Sequence, residues 1–177
     1  MKRILTVISF AFLMVACGES KKAKNPQLEA RETISTLEKL LLDAGDGFND
    51  SAATQITKAY LRYAEAYPTD SISPDYMFKA ADVMRGQFRW NDAVTVLEAL
   101  VKKYPKDPRV PSALFFAGFM LHNDLNQNEK ARPYLDRLIA EHPEHPMSAD
   151  ARMLLETMHM SPEELIDHLE KKNGIAQ

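Results

Sequence analysis

Apolar residues recur along the chain at helical spacing, and short polar or proline-bearing segments separate the runs. Asn25-Pro26 caps and opens a first run in which Leu28, Ile34, Leu37 and Leu41 form the apolar side, ending near Ala44-Gly45. A second run, from about Asn49 to Tyr67, carries Ala52, Ile56, Tyr60 and Tyr63 and stops at Pro68. Met77-x-x-Ala80-Ala81-x-x-Met84 and Ala93-x-x-x-Leu97 then precede Pro105, and Leu114-x-x-Ala117-Gly118-x-x-Leu121 and Ala131-x-x-x-Leu135 precede Pro143. Pro146 to Met158 is a further run, with Ala149, Met153 and Leu154 as its packing residues. Ser161-Pro-Glu-Glu164 is a capping box, so a last helix is expected to about Lys172, covering the open end of the stack. Eight helices without strand-type alternation predict an all-α array.

The middle of the chain repeats itself. Pro68, Pro105 and Pro143 stand 37 and 38 residues apart, each directly after Tyr67, Tyr104 or His142. Such spacing suits two helices in close approach: Ala81 or Gly118 on the first faces Ala93 or Ala131 on the second, and Met84, Leu97 and Leu100 fill the surrounding space. Proline ends the second helix, because its ring and missing N–H cannot continue the hydrogen-bond ladder. Gly118 to Ala131 is 13 residues against 12 for Ala81 to Ala93, which places one extra residue in the turn between Asn123 and Asn128. Pro133, close to the start of its helix, is expected to make the first turn irregular. These positions resemble the tetratricopeptide repeat over about residues 74–143, with Met77 and Leu114 where that family has a large aromatic. The resemblance implies a tetratricopeptide-like helix-turn-helix superhelical array of about eight helices. It divides into a degenerate N-terminal repeat at 26–73, two repeats at 74–145 and a C-terminal helix pair at 146–177.

The first residues follow another logic. Lys2-Arg3, an apolar stretch from Ile4 to Val15 and small Ala16 read as a secretory signal peptide over 1–16, too short to span a hydrocarbon core. Two processing routes compete. Cleavage at an A-x-A-like site around Ala16-Cys17-Gly18 discards the thiol. Alternatively, Leu13-Met14-Val15-Ala16-Cys17 resembles the lipobox of bacterial lipoproteins, with Met14 where Leu is usual. That resemblance implies a signal peptide at 1–16, an acylated Cys17 and a polar tether over 17–25. In the enterobacterial sorting rule, Gly18 after the cysteine favours the outer membrane over the inner one.

Composition narrows the partners. Cys17 is the single cysteine of 177 residues, so no internal disulfide forms and stability rests on packing. The formal charge is −3 and becomes −5 once Lys2 and Arg3 are removed, with 20 basic against 25 acidic residues. Such a mildly acidic chain lacks the basic footprint of a nucleic-acid binder.

Candidate chemistry is sparse. The chain has no G-x-S-x-G elbow, H-E-x-x-H helix or phosphate loop. His142-Pro-Glu-His145 lies in a proline-rich turn without a second ligand pair, and Glu156-x-x-His159 occurs once where di-iron bundles need it twice. Asp43 to Asp50 lacks the ligand spacing of a calcium loop and reads as a helix-ending turn. Lys102, Lys103, Lys106 and Arg109 form a small basic patch around Pro105. No cofactor, metal or catalytic residue is expected, and the chain does not read as an enzyme.

In tetratricopeptide proteins the first helices of each repeat line a concave face. Carried over, the residues facing it are Phe78, Lys79, Asp82 and Arg85 from one repeat and Phe115, Phe119 and His122 from the next. Three phenylalanines among charges resemble a binding hot spot; the alternative is that neighbouring helices bury them as core. Repeat and leader together are similar to the tetratricopeptide lipoproteins of Gram-negative envelopes, of the barrel-assembly and Tol-Pal-associated kind. The resemblance implies a lipid-anchored scaffold that binds an envelope protein or peptide segment, a monomer within a complex, facing the periplasm. A structural or self-associating lipoprotein is the alternative.

Overall fold

A computed structural model describes residues 25–43, 49–172 and 174. The signal peptide, Cys17, the tether up to residue 24 and most of the turn between Asp43 and Asp50 lie outside them. Among the described residues eight helices follow one another: α1 (Pro26–Leu42), α2 (Asp50–Ala66), α3 (Ser73–Gly86), α4 (Trp90–Lys103), α5 (Val110–Asn123), α6 (Asn128–Glu141), α7 (Pro146–Thr157) and α8 (Pro162–Lys172). No strand occurs among the described residues. From α1 to α7 each helix packs on the next, and α5 also meets α7.

Local chemistry sets the helix ends. The side chain of Asn25 accepts the Gln27 N–H at 3.0 Å and that of Asn49 accepts the Ala52 N–H at 3.0 Å, each taking up a donor that the first turn leaves without a partner. Three helices end in the same way. Tyr67, Tyr104 and His142 adopt φ of −127°, −128° and −135° with ψ of 60°, 59° and 55°, and a proline follows each. Their carbonyls then accept the N–H of Asp70, Asp107 and His145 at 3.0–3.1 Å. The junctions at 67–73, 104–110 and 142–148 are therefore one structural unit used three times. In the outer two, Ser73 and Ser148 donate their hydroxyls to the carbonyls of Tyr67 and His142, both at 2.6 Å. In the middle one Val110 has no hydroxyl, and the Tyr104 hydroxyl instead donates to the Pro68 carbonyl at 2.9 Å, tying one junction to the preceding one.

Between α5 and α6 the backbones approach closely at Gly118. A Cβ there would stand 2.7 Å from Cδ2 of Leu135 and 3.3 Å from the Ala131 carbonyl oxygen, so glycine is required by packing rather than by torsion. The buried core has two parts. Ile34, Ile56, Tyr60, Tyr63, Tyr76 and Ala80 join α1 to α2 and α3. A larger cluster including Ala64, Leu97, Leu100, Leu114, Met120, Leu135 and Leu138 runs from α2 to α7.

Four expectations need adjusting. Pro133 does not disrupt the first turn: α6 runs continuously from Asn128 to Glu141 with the proline inside it, its ring on the exposed side. In α7 the inward residues are Ser148 and Ala151, because the face that meets α6 and α5 is one position away from Ala149, which is exposed. In α1 only Ile34 is buried and Leu28 is 53% exposed, since an end helix has a neighbour on one side only. The Ser161 capping box forms, with Glu164 N–H donating to Ser161 Oγ at 3.2 Å and Ser161 N–H to Glu164 Oε2 at 2.8 Å. Yet α8 does not bury itself against the end of the stack: none of its side chains is buried, and Ile166 is 57% exposed. Polar contacts attach it to α7, where Glu156 meets His168 Nε2 at 3.4 Å and Lys172 Nζ at 3.3 Å.

Candidate partner-binding surface

Helix periodicity decides which side chains are left to face outward. On α3 the inward set is Met77, Ala80, Ala81 and Met84, so Phe78, Asp82 and Arg85, at i, i+4 and i+7, share the adjoining face. On α5 the inward set is Leu114, Ala117, Gly118 and Leu121, leaving Phe115 and Phe119 at i and i+4. These faces meet through a residue that the repeat resemblance passed over. Phe116 lies 6.1 Å, centroid to centroid, from Phe78 and 5.8 Å from Phe115, and Phe115 stacks on Phe119 at 6.0 Å. The four rings form a continuous row, in contact geometries typical of aromatic pairs.

The row is partly covered and partly open. Phe78, Phe115 and Phe116 are half-buried against the larger core, and Phe119 is exposed. The Arg85 guanidinium lies 5.8 Å above the Phe116 ring and pairs with Asp82 at 2.7 Å, so the charges bordering the row are satisfied within α3. The cleft enclosed by Phe78, Asp82, Arg85 and Phe116 holds about 10 Å³. Small-molecule pockets run to ~300–1,000 Å³, so this surface suits another macromolecule.

Two other residues of the expected face do different work. Lys79 turns toward the N-terminal helices, with Nζ 3.0 Å from Glu38 of α1 and 3.4 Å from Asp75, over the rings of Tyr60 and Tyr76 at 6.0 and 5.8 Å. Glu38 also accepts the Tyr60 hydroxyl at 2.8 Å, and burial together with that carboxylate pushes the Tyr60 phenol far above its usual range. His122 lies at the other end: its Nδ1 is 2.7 Å from Asn128 Oδ1, and Asn128 Nδ2 donates to the Met158 carbonyl at 2.7 Å, linking α5, α6 and α7. The seven residues therefore separate into a central patch, an α1–α3 clasp and an α5–α7 clasp.

Phe116 was legible in the repeat itself, since it follows Lys79 by the same 37 residues that separate Pro68 from Pro105. At the 38-residue spacing of Pro105 and Pro143, Met153 on α7 corresponds to Phe115, and it is 48% exposed.

The remaining candidate groups are mostly engaged within the chain. Lys103 donates to the Ala64 carbonyl at 3.1 Å, and Arg109 pairs with Asp75 at 3.0 Å and Asp107 at 3.1 Å, which leaves Lys102 and Lys106 of the basic patch. His145 Nδ1 accepts the Met147 N–H at 3.3 Å as a helix cap, and His159 Nε2 is 3.0 Å from Arg132. Among the described residues no group of three His, Cys, Asp or Glu side chains is placed to hold a metal ion, and no helix is long and apolar enough to cross a membrane.

Comparison with known proteins agrees with the repeat geometry. Residues 75–107 and 112–145 match the family model of the tetratricopeptide repeat. The chain is also similar to outer membrane protein assembly factor BamD of Neisseria gonorrhoeae, 26% identical over 125 residues that make up 70% of this chain and 46% of the relative. The corresponding factor of Neisseria meningitidis serogroup A / serotype 4A is 25% identical over 125 residues, again 70% and 46%. The chain thus spans about half the length of the curated relatives it matches. With eight helices, no strand and repeated proline junctions among its described residues, the chain is all-α there, carries tetratricopeptide repeats at 75–107 and 112–145 and has a distant likeness to BamD.

Proposed function

We propose that the protein is a membrane-anchored interaction scaffold of the bacterial envelope, which holds a segment of a partner protein against the first helices of its repeats. One observation carries this reading: the row Phe78–Phe116–Phe115–Phe119 spans two neighbouring repeats and ends in an exposed ring. Aromatic side chains supply most of the energy at protein interfaces, and charges already paired on the rim, such as Asp82 and Arg85, need not be stripped of water unpaired. The likeness to a factor named for outer membrane protein assembly supports an envelope partner. The lipobox-like Cys17 supports a lipid anchor on the outer membrane with the repeats in the periplasm. Binding, not catalysis, is the work such a surface performs.

The double variant Phe115→Ala, Phe119→Ala tests this in cells. The expected result is a normally folded protein, judged by far-UV circular dichroism, that loses its cross-linked envelope partner. Retention of every cross-linked partner contradicts the reading.

A further inference from the structure

The turn between α3 and α4 places an aromatic residue where its backbone favours glycine. Phe88 N–H donates to the Arg85 carbonyl at 3.0 Å and Arg89 N–H to the Met84 carbonyl at 2.9 Å, the two bonds that close a Schellman motif at the end of α3. The left-handed residue of that motif is ordinarily glycine or asparagine; here it is Phe88 at φ 59°, whereas Asn126 at φ 51° stands in the following repeat. The fold has no need of the ring. Phe88 is 78% exposed, and its one ring contact among the described residues is the edge of Trp90 at 5.5 Å. A strained backbone position that burial does not explain points to function.

We infer that Phe88 anchors a protein contact separate from the phenylalanine row, its ring entering an uncharged apolar pocket of the partner. The polar neighbours define that chemistry, because each is already engaged within the chain. Gln87 Nε2 donates to Asp50 Oδ1 at 2.6 Å and to Thr54 Oγ1 at 3.0 Å. Arg89 pairs with Asp92 at 2.7 Å, and Arg85 with Asp82 at 2.7 Å. No cation beside the ring is left to receive a partner carboxylate, and the carboxylates of Asp50 and Asp92 are unfavourable to the phosphate head groups of a bilayer. Trp90 is half-buried against the larger core and fixes the direction in which the Phe88 ring points. One rigid, protruding ring between satisfied polar groups is the arrangement of an interface anchor, which gains its energy in a fully desolvated pocket.

Photo-crosslinking of the full chain in cells from position 91, exposed and next to Trp90, tests the inference. The expected product is one protein adduct, which mass spectrometry places on a segment without Asp, Glu, Lys or Arg at the linked site. Its yield should fall at least tenfold in Phe88→Asn and persist in Phe88→Leu, which keeps an apolar side chain. Phe88→Asn should unfold at a urea concentration no lower than the parent, so that the lost adduct is not lost folding. The double variant Phe115→Ala, Phe119→Ala should leave this adduct in place, which keeps failure at the row distinct from failure here. The proposal is overturned by the absence of an adduct, by one that survives Phe88→Asn or disappears with the row, or by a link into a charged segment. A lower urea midpoint for Phe88→Asn overturns it as well. So does a blue shift in the emission of Trp90, the single tryptophan of the chain, on adding vesicles of phosphatidylethanolamine and phosphatidylglycerol, since the ring would then belong to lipid.

Discussion

Phe88 and Asn126 occupy the same backbone position in consecutive repeats, each five residues before the small residue of the following helix, with φ of 59° and 51°. Asparagine tolerates this left-handed conformation, whereas a bulky side chain is strained there by about 1–2 kcal/mol. Phe88 does not recover that cost by burial, being 78% exposed, and its one ring contact is the edge of Trp90 at 5.5 Å. Phe88→Asn is therefore expected to stabilise the chain by about 0.5–1 kcal/mol, after the lost ring pair is subtracted. Urea unfolding measures it, and an unchanged or lower midpoint would refute the strain argument.

Gly118→Ala should act in the opposite direction. The added methyl would press on Leu135, which is fully buried and cannot swing aside, and on the Ala131 carbonyl. Overpacking of ~1–3 kcal/mol exceeds the ~1 kcal/mol of helix propensity gained by replacing glycine. A net loss of up to about 2 kcal/mol is expected in the same unfolding experiment. Equal stability would mean that α5 and α6 can separate without cost.

Acid should loosen the N-terminal end first. Asp70, in the first junction, accepts hydrogen bonds from Gln27, from Tyr63 at 2.6 Å and from Arg31 at 2.5 Å, gathering α1 and α2 around one carboxylate. The Tyr63 hydroxyl and the Arg31 guanidinium hold that carboxyl far below the usual range. A depressed folded-state pKa adds stability that is complete above the ordinary aspartate value of about 4 and is lost as pH falls toward the folded value. Asp70→Asn should be less stable than the parent at neutral pH, with the gap closing below about pH 4. A gap that is constant with pH would separate the stability of this end from the charge on Asp70. Hydrogen exchange should show the loss in α1 before α4 or α5.

The helix pattern was readable because its signals are local. Asn25 and Asn49 cap where polar residues precede apolar runs, and Pro68, Pro105 and Pro143 follow helices that cannot continue through them. Residues whose role depends on a distant element were not readable. Lys79 looks like Phe78 and Asp82 until Glu38, 41 residues away, draws it to α1. His122 likewise belongs to Asn128 and, through it, to Met158. α8 shows the limit of local reasoning from the other side: its capping box predicts a helix but says nothing of whether a neighbour covers it.

The proposed function puts partner protein at the exposed end of the aromatic row. A photo-crosslinking residue at position 119, compared with positions 99 and 140 on the exposed sides of α4 and α6, addresses it in living cells. One dominant envelope-protein adduct is expected from position 119, little from 99 or 140, and its loss on Phe115→Ala. Equal adducts from all three positions, or an adduct at 119 that is indifferent to Phe115→Ala, would contradict it.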